Sequence, residues 1–137
     1  KYRNTRQDDL WSCLTEAAQI DKSLPSGITV KGIMDSWTLQ KGYPFLQVER
    51  HINGTALLTQ RRFLFGRLSS KRKHEMKYKW WIPITFTTQD RPSFRHTRAQ
   101  TWLRQEDDSL QVTGLPPQDK WVIFNLQQTG MKAFLKN

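Results

Sequence analysis

The run His74-Glu75-Met76-Lys77-Tyr78 comes nearest to a catalytic pattern in this sequence. A helical H-E-x-x-H would hold zinc between two imidazoles one turn apart, with its glutamate as general base. Here Tyr78 stands at the second ligand position, in a stretch too basic and unpatterned for a buried metal helix. His51, His74 and His96 are far apart and fall in predicted turns or loops, which favours surface roles over ligation. Asp8 and Asp9 have no His or third carboxylate close by, so they suit the positive end of a helix better than a metal. Cys13 is the single cysteine, which excludes an internal disulfide, and no partner His activates its thiolate. Ser12, Ser36 and Ser109 show no paired base. Gly-rich phosphate loops, G-x-S-x-G elbows and Cys/His zinc spacings are absent from the sequence. The chain alone is expected to be inactive and to hold no catalytic, metal or cofactor residue.

Two features could bind or carry something. Lys71, Arg72, Lys73, Lys77 and Lys79 make the densest basic stretch in a chain of net charge +10. Such a run could form a phosphate- or sulfate-binding loop. Aromatics are not interleaved through it, which favours a solvated connection between strands and makes nucleic acid an improbable partner. The second feature is the Asn53-Gly54-Thr55 sequon, which places Asn53 on a predicted turn as a candidate glycan acceptor.

The elements that would position these residues change character near Pro44. Residues 8–19 read as a helix with Leu10, Leu14 and Ala18 on one stripe and Trp11 beside it. Thr5 and Asp8 suggest a weak capping box. A turn-rich loop, residues 21–29, leads to a second helix in which Val30, Ile33, Met34 and Trp37 share a face. Thr29 is its expected N-cap and Gly42 its expected stop. Two short helices cannot bury both stripes alone, so exposed apolar surface is expected here. From Phe45 the period becomes strand-like. FLQVER leads into an Asn53-Gly54 hairpin of expected type I′, and the partner strand runs from about Ala56 to Phe65. Residues 80–88 read as one alternating strand with an edge or bulge at Pro83. Short strands follow at Thr101–Leu103, in LQVTGLPP, in WVIFN and in MKAFLK. The fold class is mainly β with N-terminal helices: an α-helical hairpin followed by a small antiparallel β-sandwich, although strand spacing alone also permits a small barrel.

Five words in fixed order carry a family resemblance across nearly the whole chain. DDLW, IMDSWTLQKGYP, QRRFLF, KWWIPITF and WVIFNLQQTG resemble zinc aminopeptidases of the aminopeptidase N type, the insect-gut members most of all. The resemblance implies that residues 1–43 are the last helices of a catalytic domain and residues 44–137 the β-sandwich domain after it. It implies a parent that removes N-terminal residues from peptides at the outer face of the plasma membrane, with its zinc site upstream of this chain. It implies that the sandwich is a scaffold docking the catalytic domain to a C-terminal helical domain, with Trp37 and Tyr43 as candidates for packing that junction. The partners would be the rest of the aminopeptidase chain, peptide substrates of the parent and, by the insect likeness, a toxin ligand. No cofactor is expected in this chain itself. The rival readings are a stand-alone basic binding module for an acidic polymer or protein ligand, and an inactive truncated decoy. The end, Met131 to Asn137, departs from the aromatic pair and R-V-N-Y that family members carry there.

Overall fold

A computed structural model describes residues 4–63, 78–128 and 133–136 of the 137-residue chain. The chain divides into two compact units, residues 1–40 and 41–137.

The first unit is a pair of contacting helices, α1 (Gln7–Ile20) and α2 (Val30–Thr38). The α1 cap sits one residue later than Thr5 and Asp8 suggested: Arg6 is the N-cap, and its backbone N–H donates to the Asp9 carboxylate at 2.8 Å. Arginine offers no acceptor, so only half of a capping box can form. At α2 the Thr29 hydroxyl accepts from the Gly32 N–H at 3.1 Å, the cap its sequence announced. The helix nevertheless ends at Thr38, capped by Leu39, short of Gly42. Thr15 ties the helices together, its hydroxyl accepting from the Val30 N–H at 2.9 Å while donating to the Trp11 carbonyl. Lys31 adds ion pairs to Asp8 and Asp35, whose hydrogen bonds raise its pKa above the usual lysine value. Leu10, Leu14 and Ile20 remain exposed, as two short helices with one shared seam require.

The second unit begins at β1 (Pro44–Arg50), paired antiparallel with β2 (Ala56–Arg62) from Pro44↔Arg62 to Arg50↔Ala56. This register puts Pro44, Leu46, Val48, Ala56 and Leu58 on one buried face. The strand ends at Arg62, earlier than Phe65, and residues 64 and 65 lie outside the described residues. Phe63 still donates its N–H to the Tyr43 carbonyl, and the two rings stack at 4.8 Å. The stretch expected as one strand is two: β3 (Ile82–Ile84) and β4 (Phe86–Thr88). β5 (Thr101–Leu103) pairs with β3, β6 (Ser109–Val112) with β2, and β7 (Val122–Phe124) with β4, all antiparallel. Pro83 lies in the two-stranded β3–β5 sheet, where a missing N–H does least harm. The last strand, β8 (Ala133–Lys136), pairs with β1 and runs parallel to it, a departure from otherwise antiparallel pairing among the described residues.

The break at Thr85 has a local cause. Its carbonyl accepts from the Asn125 N–H at 2.8 Å, and its hydroxyl from the Leu126 N–H at 2.9 Å. Thr85 and Thr87 are both buried, yet each hydroxyl is satisfied, Thr87 by the Arg91 carbonyl and the Ser93 N–H. Trp80, Ile82, Ile84, Leu103, Val122, Phe124 and Leu126 complete the core against the inner face of β1 and β2. A narrow cleft lined by Leu46, Ile84 and Phe124 shows the two layers meeting. Gln60 joins them by hydrogen bonds, accepting from the Trp80 N–H at 2.8 Å and donating to the carbonyls of Trp80 and Arg104. The fold is mainly β with N-terminal helices, as its periodicity predicts.

Candidate functional surfaces

The hairpin at residues 51–55 presents Asn53. The turn is not type I′, because only Gly54 has positive φ, at 73°. The His51 carbonyl accepts from the Gly54 N–H at 3.3 Å, and the His51 N–H donates to the Thr55 carbonyl at 2.8 Å. A longer loop needs one left-handed residue rather than two, so Asn53 keeps ordinary φ. Asn53 Oδ1 accepts from the Thr55 N–H at 3.2 Å and from its hydroxyl at 2.6 Å. Behind the turn, Arg50 donates to the carbonyls of Lys120, Pro116 and Pro117 at 2.8 to 3.0 Å, fixing loop 116–120 against the hairpin's base. The sequence reading missed this clamp; nothing near Arg50 marks three distant carbonyls as partners.

Of the basic stretch, Lys71, Arg72, Lys73 and Lys77 lie outside the described residues, as do His74 and Glu75 of the H-E-x-x-Y run. Lys79 is described, and its ammonium is engaged by the Asp108 carboxylate and the Asp107 carbonyl. The hydrogen bond from Lys79 holds the Asp108 carboxyl below its usual range. By the sign of that shift, the pair stabilises at neutral pH and its contribution fades as pH falls through the lowered pKa. Tyr78 lies beneath the Arg62 guanidinium, 4.4 Å from ring to charge, in a cation–π contact rather than a ligand set.

Among the described residues no group of three His, Cys, Asp or Glu could hold a metal ion. His51 is exposed at the hairpin, and His96 Nδ1 lies 2.6 Å from the Ser93 hydroxyl. Cys13 is exposed on α1. Ser36 is buried and donates to the Ile33 carbonyl one turn earlier, a helix-internal bond rather than a catalytic pairing. No helix among the described residues is long and apolar enough to cross a membrane.

Sequence reasoning passed over an exposed apolar face formed by β7 and the residue before it. Trp121 and Ile123 point outward at 40% and 43% exposure while Val122 and Phe124 are buried. Phe94, half exposed, stacks on Trp121 at 6.2 Å. The signal was present in WVIFN, whose outward positions are as apolar as its inward ones. A strand facing water on one side should alternate.

No protein-family profile matches the chain. It is similar to segments of large aminopeptidases. Human aminopeptidase N is 36% identical over 135 residues, which is 94% of this chain and 12% of that protein. Rat thyrotropin-releasing hormone-degrading ectoenzyme is 29% identical over 136 residues, 95% of this chain and 12% of the relative. Human endoplasmic reticulum aminopeptidase 2 is 32% identical over 152 residues, 94% of this chain and 15% of the relative. The chain therefore matches a small share of each. These relatives support an aminopeptidase N-like fragment, a piece of a peptidase, and give no support to an insect-gut type.

Proposed function

We propose that this chain is a non-catalytic part of a zinc aminopeptidase ectoenzyme. In this reading its β unit is a scaffold between the catalytic helices and a C-terminal helical domain. The observation that carries the reading is a likeness over 94% of this chain to 12% of a long aminopeptidase. The exposed face of Phe94, Trp121 and Ile123 supports it, since so apolar a surface suits burial against further chain. The zinc, the general base and the peptide-amine site would all belong to residues outside this sequence. In this reading Trp37 and Tyr43 are the candidates for packing the scaffold against its neighbouring domains, and Tyr43 already stacks on Phe63.

The test is the native polypeptide, captured with an antibody against residues 71–79. It should be several times larger than 16.2 kDa and should hydrolyse leucine or alanine amides until zinc is chelated. A native product of this size without activity would overturn the reading in favour of a decoy or a basic module. A basic module would in addition show a steep loss of binding to an acidic polymer with salt.

The scaffold role makes a separate prediction. In the isolated chain, Trp121→Ser should cost the Phe94 stack and the packing of the buried part of the indole, about 2 kcal/mol. In the full-length parent, where the face is covered, the same change should cost about 4 kcal/mol and lower the melting temperature visibly. Equal costs in both settings would show that the face stays wet and docks nothing.

A further inference from the structure

We propose that Asn53 carries an N-linked glycan, an inference that rests on the ectoenzyme reading because the sugar is attached in the secretory lumen. The sequon alone would say little, but the geometry says more. Asn53 is exposed at the hairpin tip, and no described residue accepts from its Nδ2. Its Oδ1 is held by both the backbone N–H and the hydroxyl of Thr55, which fixes the carboxamide with its nitrogen free.

The fold explains the middle residue of the triplet but not the last. Gly54 is required by its positive φ and by the Leu115 carbonyl, 2.7 Å from where a Cβ would stand. The Thr55 hydroxyl, by contrast, hydrogen-bonds only to Asn53 among the described residues. A neighbour also points outward: Ile52 is 87% exposed, an isolated apolar side chain that the first sugar residue would cover. In the transfer, Nδ2 forms a bond to C1 of N-acetylglucosamine borne on a polyprenyl diphosphate. The C1–O bond breaks, the lipid diphosphate leaves with its electron pair, and Nδ2 gives up a proton to the transferase base. The chain is the acceptor and supplies no catalysis.

The native full-length polypeptide is treated with peptide N-glycosidase in heavy-oxygen water and cut with trypsin. The tryptic peptide running from His51 to Arg61 should appear with residue 53 converted to Asp and labelled only when the glycosidase is present, since a bare Asn-Gly deamidates and takes up the label without it. Recombinant parent passed through a eukaryotic secretory pathway should lose the label with Asn53→Gln or Thr55→Ala and keep it with Thr55→Ser. An unmodified peptide beside glycans on other asparagines of the same polypeptide overturns the proposal and leaves the luminal reading intact. A polypeptide free of N-glycans and recovered from the cytosol overturns both.

Discussion

Replacing Trp80 with alanine should destabilise the β unit by about 3–5 kcal/mol, the range for emptying a buried aromatic site. Trp80 is fully buried, and its backbone N–H and carbonyl both bond to the Gln60 side chain. The ring therefore fills the core at the point where Gln60 ties β2 to the layer opposite. The indole carries a defect as well: its Nε1 is buried without a hydrogen-bond partner among the described residues. An unsatisfied buried donor costs about 1–3 kcal/mol. Trp80→Phe removes that donor while giving up part of the ring volume, worth roughly 1–2 kcal/mol of transfer and packing. The two terms oppose each other, so Phe should fall within about 1 kcal/mol of the native residue. Urea unfolding followed by far-ultraviolet circular dichroism would separate the cases. A Phe variant as unstable as the Ala variant would mean that the indole shape, not the apolar volume, holds the layers together.

How much of this was written in the sequence depends on whether a residue's partners are near or far. The α2 cap was legible because Thr29 and Gly32 are three residues apart and the bond between them is local. The β1–β2 pairing was legible because a turn former separates two alternating runs, and the observed register places Leu46, Val48 and Leu58 inward. The division of residues 80–88 was not legible. Periodicity reports which side of a strand is apolar, and there Thr85 and Thr87 are buried against expectation. Their hydroxyls are satisfied by Leu126, Arg91 and Ser93, and the Leu126 partner lies 41 positions away. The turn type failed for a similar reason. Asn-Gly predicts two left-handed residues in a two-residue loop, whereas the Leu115 N–H bonds the Gly54 carbonyl at 2.9 Å and the loop closes over five residues instead. For the functional surfaces, the sequence marked Asn53 at once. It also contained the apolar outward face of WVIFN, which a stricter test of alternation would have picked out. The basic stretch, so prominent in composition, contributes to the described structure mainly through Lys79, and that ammonium is spent on Asp108.

Gly54→Val should be the more damaging of two glycine-to-valine changes, costing about 3 kcal/mol or more. Two independent terms add. The backbone there has φ of 73°, a region that β-branched residues adopt only at a strain of about 1–2 kcal/mol. The new Cβ would also stand 2.7 Å from the Leu115 carbonyl oxygen, which is backbone and cannot swing aside as a flexible side chain would. Relief requires moving either the turn or the Leu115 backbone, and both are tied: Leu115 N–H to the Gly54 carbonyl, and the following loop to Arg50. Gly114, also left-handed at 75° and in the same unit, has nothing near its would-be Cβ and supplies the control. Gly114→Val should therefore pay the dihedral strain alone, about 1–2 kcal/mol. Hydrogen exchange of the β1 and β2 amides, compared between the two variants, would read the difference directly. If Gly54→Val loosened those amides no more than Gly114→Val does, the contact with Leu115 would not be what sets the turn. The hairpin would then owe its shape to the Asn53 and Thr55 bonds instead.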